Sequence, residues 1–218
     1  MRRLNKAAPA AKRGGPPGEV RIIGGRWRSR RIEVPVAEGL RPTGDRIRET
    51  LFNWLGQSLA GQRCLDLFAG TGVLGFEALS RGAQSVDWVE RNAPTARKLK
   101  ATLEAFQSSD PLAGQGAVHH ADALTFLHAR RDRAYDLVFL DPPFAMNPWF
   151  DLLPRLAPCL ADGGRVYVEA AAKPDALNPP PKGWLIIRES RAGAVWFALL
   201  QCEYSQADPP DSLPQSTP

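Results

Sequence analysis

The 218-residue sequence lacks most of what would mark a secreted, membrane or metal-dependent protein. Its three cysteines, Cys64, Cys159 and Cys202, are far apart and mostly in apolar surroundings, which argues for reduced core thiols against a disulfide framework or a zinc site. The three histidines, His119, His120 and His128, show no metal-ligand spacing with a partner acid, so no metal is expected. No run approaches ~18 apolar residues, and the basic N-terminus has no apolar segment behind it. Neither a membrane span nor a signal peptide is legible, and the expectation is a cytoplasmic protein. No internal repeat is present. Acid is scarce at one end: residues 1–31 hold ten Lys/Arg against Glu19 alone, so the net charge of +5 leaves the other 187 residues at −4. A basic cluster beside an acidic body reads as a footprint for a polyanion, most simply nucleic acid. Residues 1–18, rich in Ala, Pro, Gly and Lys/Arg, read as a disordered extension, and 207–218 as a disordered polar tail.

What is present is a chain of strand and helix signals. Val20–Ile23, Gly24-Gly25 and Arg26–Val34 form a β-hairpin pattern. In a strand Arg26, Arg28 and Arg30 would line one face, with Trp27 opposite. With Arg21 and Arg31 they suit phosphate contacts, although a charged, solvated edge strand is the structural alternative. Over Leu40–Leu55, Thr43 is a candidate N-cap and Asp45 suits the positive end of the helix dipole. Ile47, Leu51, Trp54 and Leu55 form an apolar stripe, and Asp45, Arg46, Glu49 and Asn53 a polar row.

From Cys64 a strand, a glycine turn and a helix follow in order. Gly70, Gly72 and Gly75 satisfy a dinucleotide fingerprint, and Glu90 ends the next strand where a ribose-binding acid is expected. Asp66 argues against a pyrophosphate there. A carboxylate inside that strand gains nothing from phosphate but much from a ligand carrying an ammonium and a sulfonium, as S-adenosylmethionine does. Asp122 ends a third strand, placed either to accept an adenine amino group or to cap the helix from Ala123. Tyr135–Leu140 is a buried strand, and Asp141-Pro142-Pro143-Phe144 stands at its carboxyl end, where open α/β sheets bind ligands. Two prolines remove two N–H donors and leave carbonyls free; with a carboxylate and an aromatic ring they would hold a flat base by its amino group. Gly164–Glu169 makes a fifth strand. Trp184–Arg188 and Ala194–Leu200 are too close for a crossover helix and must pair antiparallel.

Five strands alternating with helices and a closing hairpin predict an α/β fold with a seven-stranded, mostly parallel sheet. The arrangement resembles a class I S-adenosylmethionine-dependent methyltransferase of Rossmann-like architecture, with an N-terminal basic β-hairpin and helix added. Asp141–Phe144 resembles the Pro-Pro motif of enzymes that methylate planar amino nitrogens. Arg41-Pro-Thr-Gly-Asp-Arg-Ile-Arg-Glu-Thr-Leu-Phe-Asn53 and the preceding Ile-Gly-Gly-Arg-Trp-Arg ribbon are similar to the RsmD family of bacterial 16S rRNA guanine-N2 methyltransferases, over about Val20–Gln201. Gly44 stands where members usually have a second Thr.

The resemblance implies residues 19–60 as an RNA-facing unit and 61–206 as the methyltransferase domain. It implies cofactor binding by Asp66, Phe68, Ala69, Gly70, Thr71, Gly72, Glu90, Arg91, Asp122, Ala123 and Asp141, and catalysis by Asp141, Pro142, Pro143 and Phe144. RNA would be held by Arg21, Arg26, Arg28, Arg30, Arg31, Arg41, Thr43 and Arg46. The implied partner is 16S rRNA within the small ribosomal subunit or its assembly intermediate, bound by a monomer. An adenine-N6 or glutamine methyltransferase, an NAD oxidoreductase and a non-enzymatic RNA-binding assembly factor stay open as alternatives.

Overall fold

Along Leu137–Leu140 alternate side chains bury on opposite faces of the sheet, Leu137 and Phe139 in one core and Val138 and Leu140 in the other. A strand apolar on both faces belongs in the middle of a covered sheet. The computed structural model describes residues 18–34, 43–130, 132, 134–143 and 148–203. The expected positions of Arg41 and Phe144 lie outside these.

The elements are β1 (Glu19–Arg21), β2 (Arg31–Glu33), α1 (Asp45–Leu55), β3 (Arg63–Asp66), α2 (Val73–Ser80), β4 (Ser85–Glu90), α3 (Ala93–Ser108), β5 (Gln115–His120), α4 (Ala123–His128), β6 (Tyr135–Leu140), α5 (Trp149–Leu156), β7 (Leu160–Ala170), β8 (Trp184–Ala192) and β9 (Val195–Cys202). Seven strands form one sheet in the order β5-β4-β3-β6-β7-β9-β8. The pairings β4·β5, β3·β4, β3·β6 and β6·β7 are parallel, and β9 runs antiparallel to both β7 and β8. The expected parallel sheet with its closing hairpin is therefore present. Its strand order reverses between β3 and β6, which opens a crevice at their carboxyl ends.

One core, on the face carrying α1, α2 and α3, joins Phe76, Trp88, Leu103 and Phe106 to Val20, Ile22, Trp27, Ile32, Ile47, Leu51 and Phe52. The segment from β1 through α1 thus shares the sheet's hydrophobic interior. Each large side chain of this kind contributes about 1.5–3 kcal/mol by leaving water. The second core packs α4 and α5 on the other face, with Leu65, Val138, Leu152 and Leu156 at its centre. Cys64, Cys159 and Cys202 are all buried.

The basic hairpin differs from the expectation. Only Glu19–Arg21 and Arg31–Glu33 pair, so Arg26, Arg28 and Arg30 lie in the connecting loop and share no strand face. The cause is the end of α2, which captures the loop's backbone. The Arg26 N–H donates to the Ser80 carbonyl at 2.7 Å, and the Trp27 N–H to Ser80 Oγ at 2.9 Å. Gly25, at φ +73°, passes so close that a Cβ would lie 2.0 Å from the Ser80 carbonyl oxygen. The glycine pair is a docking point as much as a turn.

Candidate active site

Three carboxylates converge at the carboxyl ends of β3, β4 and β6. Asp66 closes β3 and is 2% exposed; its Oδ2 accepts the Gly75 N–H at 3.1 Å. Burial, opposed by that hydrogen bond and reinforced by Glu90, pushes the Asp66 carboxyl up to about 8. A buried carboxylate held by one backbone N–H lacks charge compensation, so a cationic ligand group is what this pocket fits. Gly75 lets α2 approach β4: a Cβ there would meet Trp88 Nε1 at 2.2 Å. The Trp88 indole donates to the Gly72 carbonyl at 3.1 Å and fixes the left-handed turn at Gly72, φ +75°.

Glu90, at the end of β4, accepts the Gly70 N–H on Oε2 at 2.9 Å and the Asn92 N–H on Oε1 at 2.6 Å. It thereby ties the glycine turn to the neighbouring strand end. Phe68, Ala69 and Thr71 lie in the same turn, and exposed Arg91 follows Glu90. Asp122 caps α4 with Oδ1, accepting the Leu124 and Thr125 N–H groups at 2.9 and 3.3 Å. Of the two readings of this residue the structure shows the cap, and Ala123 is the first residue of that helix.

Asp141 follows β6 and is half-buried, beside buried Pro142 and exposed Pro143. Leu140 pairs with Val168, so Asp141 lies next to Glu169 on the adjoining strand. Burial and the charges of Glu169 and Asp66 drive the Asp141 carboxyl well above its ordinary range, against the pull of a hydrogen bond from Thr43. The Thr43 hydroxyl donates to Asp141 Oδ2 at 3.1 Å. Among the described residues no donor reaches Oδ1, which leaves it able to accept from a ligand. Tyr167 donates its phenol to Glu169 Oε2 at 2.8 Å, and burial holds that phenol protonated.

Thr43 does not cap α1. Gly44 is the cap residue and no side chain bonds the helix start. Beneath it lies a buried ion-pair network that the sequence pattern did not reveal. Arg48, fully buried, donates to Glu77 Oε1 at 2.5 Å, to Asp45 Oδ1 at 2.6 Å and to the Thr43 carbonyl at 3.1 Å. Glu77 also accepts the Ile23 N–H at 2.6 Å and faces Arg81 Nε at 3.5 Å. Its burial raises the carboxyl, and the Ile23 N–H, Arg48 and Arg81 counter that rise. The available signal was Glu77 itself, a lone acid within the otherwise apolar Val73–Leu79.

The arginines of the ribbon divide into engaged and unengaged groups. Arg26 forks onto Asp110 at 2.9 and 2.6 Å, and Arg30 lies over the Phe106 ring at 3.9 Å while bonding Ser109. Arg21 pairs with Asp45 and Arg31 with Glu19 in exposed positions. Arg28 and Arg46 are exposed and form no ion pair among the described residues. His119 bonds Asp87, which also accepts the Tyr135 hydroxyl at 2.7 Å. Among the described residues no group of three or more His, Cys, Asp or Glu could hold a metal ion. No described helix is long and apolar enough to cross a membrane.

The chain is similar to several known proteins. A family model described as "Conserved hypothetical protein 95" matches residues 20–201. The chain is 40% identical over 188 residues to "Ribosomal RNA small subunit methyltransferase D" of Escherichia coli K12, covering 85% of this chain and 91% of that protein. The Haemophilus influenzae protein of the same name is 41% identical over 187 residues, 84% of this chain and 94% of its own. Among solved structures, yhhF from Escherichia coli superposes with TM-score 0.73 at 38% identity, covering 86% of this chain and all of that one. A 16S rRNA N2 G1207 methyltransferase from T. thermophilus, in complex with AdoMet and guanosine, has TM-score 0.57 at 22% identity, over 91% of this chain and 47% of that one; at this distance the likeness is one of fold.

Proposed function

Because the chain belongs to the family of that model, the RsmD family of small-subunit rRNA methyltransferases, we propose that it methylates the exocyclic N2 amino group of a guanine in 16S rRNA. The chain is an S-adenosylmethionine-dependent rRNA methyltransferase. Family membership removes the oxidoreductase reading. The observation that carries the finer proposal is the convergence of Asp66, Glu90 and Asp141 at the switch point of the sheet, with an oxygen of Asp141 that no donor among the described residues occupies.

The residues divide the work by charge and polarity. Asp66 neutralises the cationic end of the cofactor, and the glycine turn with Glu90 takes its ribose. Phe68, Ala69, Thr71, Arg91, Asp122 and Ala123 border the same binding region. When bound, S-adenosylmethionine supplies a methyl group already activated by its sulfonium, so no protein nucleophile is required. The guanine N2 lone pair is delocalised into the ring and needs redirection. Asp141 Oδ1 and the Pro142 carbonyl accept hydrogen bonds from the amino group, favour its pyramidal form and aim the lone pair at the methyl donor. Pro143 keeps the backbone rigid, and Phe144 stacks on a base taken out of its helix.

Residues 19–60 face the RNA, and 61–206 carry the transfer chemistry. Arg28 and Arg46 supply cations ready for phosphate, joined by Arg41. Arg21 and Arg31 exchange weak exposed ion pairs for RNA contacts, and Arg26 and Arg30 hold the ribbon in place. The protein works as a cytoplasmic monomer on the small ribosomal subunit or its assembly intermediate.

Turnover with purified small subunits and labelled S-adenosylmethionine, followed by nucleoside mass spectrometry, tests the reading. N2-methylguanosine is the expected product. Asp141→Ala is expected to bind cofactor normally and lose at least ~10³-fold in turnover. N6-methyladenosine as the product, or full activity in that variant, refutes it.

A further inference from the structure

We propose that Thr43 is a positioning residue for the acceptor carboxylate: its hydroxyl holds one oxygen of Asp141 and leaves the other for the amino group of the target base. The inference rests on the assignment of Asp141 as that acceptor. Thr43 is 4% exposed, and its hydroxyl has no use in starting α1, where Gly44 is the cap residue and no side-chain cap exists. Its hydroxyl instead donates to Asp141 Oδ2 at 3.1 Å, across 98 positions of sequence. A buried hydroxyl costs stability unless it is hydrogen-bonded, and here the bond goes to the group that must be oriented.

Thr43 is itself fixed from behind. Its carbonyl accepts from Arg48 Nε at 3.1 Å, and Arg48 is gripped by Glu77 and Asp45. Glu77 in turn holds the Ile23 N–H of the ribbon. The placement of the acceptor carboxylate is therefore set by the first turn of α1 and by the network beneath it, from residues far outside the Pro-Pro motif.

The same bond has an electrostatic effect. Asp141 faces Asp66 from β3, Glu169 with its Tyr167 phenol from β7, and Thr43 from the segment before α1. Burial and both carboxylates favour the protonated form, and Thr43 is the group that opposes them. A protonated Asp141 has lost an acceptor. Thr43 thus lowers the pH at which the carboxylate becomes competent, and its removal moves the acid limb of the rate profile upward.

The test uses the full chain with small subunits across a pH series. Thr43→Val removes the hydroxyl at nearly constant shape; kcat is expected to fall about tenfold near neutral pH, with the acid limb displaced to higher pH. KM for the subunit and Kd for the cofactor stay at wild-type values, which also verifies folding. Thr43→Ser is expected to restore both rate and pH profile. A Thr43→Val enzyme with the wild-type profile, or a loss that Thr43→Ser does not repair, overturns the proposal. Asp141→Ala, which leaves no side-chain acceptor, separates the two levels. If it is inactive while Thr43→Val is wild type, the Thr43 inference alone fails; if it remains active, the acceptor assignment fails first.

Discussion

At the end of the cleft proposed for the cofactor, the contacts that shape the turn span short stretches of chain: Asp66 to Gly75 across 9 positions and Glu90 to Gly70 across 20. At the proposed acceptor end they span 98 from Thr43 to Asp141 and 54 from Ile23 to Glu77. The first end is a local strand–turn–helix unit whose glycines and acids are legible one after another. The second exists only once α1 has docked on the sheet. A binding site for a common cofactor can be carried by one βαβ unit, whereas the proposed acceptor site is assembled from separated segments, so the two ends are expected to respond independently to substitution.

That separation can be broken in order of expected effect. Arg48→Ala removes the buried cation and leaves Glu77, fully buried, with only Arg81 at 3.5 Å as a charged partner, which costs about 3 kcal/mol, or roughly 10 °C in Tm. Thermal denaturation measures it, and Arg48→Met with Glu77→Met should recover most of the loss. If the cofactor end is independent, Arg48→Ala below its Tm keeps its cofactor Kd while losing turnover.

Asp66→Asn strikes the other end, with opposite signs for stability and binding. The carboxyl rises to about 8 in the folded protein, so its favourable contribution is complete below the ordinary Asp pKa of ~3.9 and is lost as pH rises through 8. The variant is expected to raise the cofactor-free Tm by a few degrees at pH 8.5 and by nothing near pH 3. Calorimetry should show S-adenosylmethionine binding weakened by about 2 kcal/mol, and the wild-type affinity falling as pH drops below 8. An unchanged cofactor affinity removes Asp66 from the site.

The smallest effects separate the arginines. Arg28→Ala and Arg46→Ala are each expected to lower RNA affinity modestly and to reduce its salt slope by about one, with Tm unchanged. Arg26→Ala, which releases Asp110, is expected to lower Tm by a few degrees instead. Identical salt slopes for Arg28→Ala and Arg26→Ala would erase the distinction between contacting and supporting cations.

The fold and the proposed cofactor end follow from the sequence because their signals are short-range: a continuous apolar run in β6, glycines in a tight turn, and an acid ending each of β3 and β4. The ribbon was legible as basic and β-like, but the capture of its loop by Ser80 was not, since nothing near Arg26 announces the end of α2. The same holds for Arg48 and Thr43. An arginine beside an apolar stripe reads as surface and a threonine before a helix reads as a cap; which polar groups are buried together depends on how α1 and α2 meet. By itself the sequence determined the strand–helix alternation, the carboxylates at the strand ends and the rigid Pro-Pro turn. Tertiary structure alone decided that Arg48 is paired inside the core and that Thr43 reaches Asp141, because buried polar groups must find partners and those partners lie in distant parts of the chain.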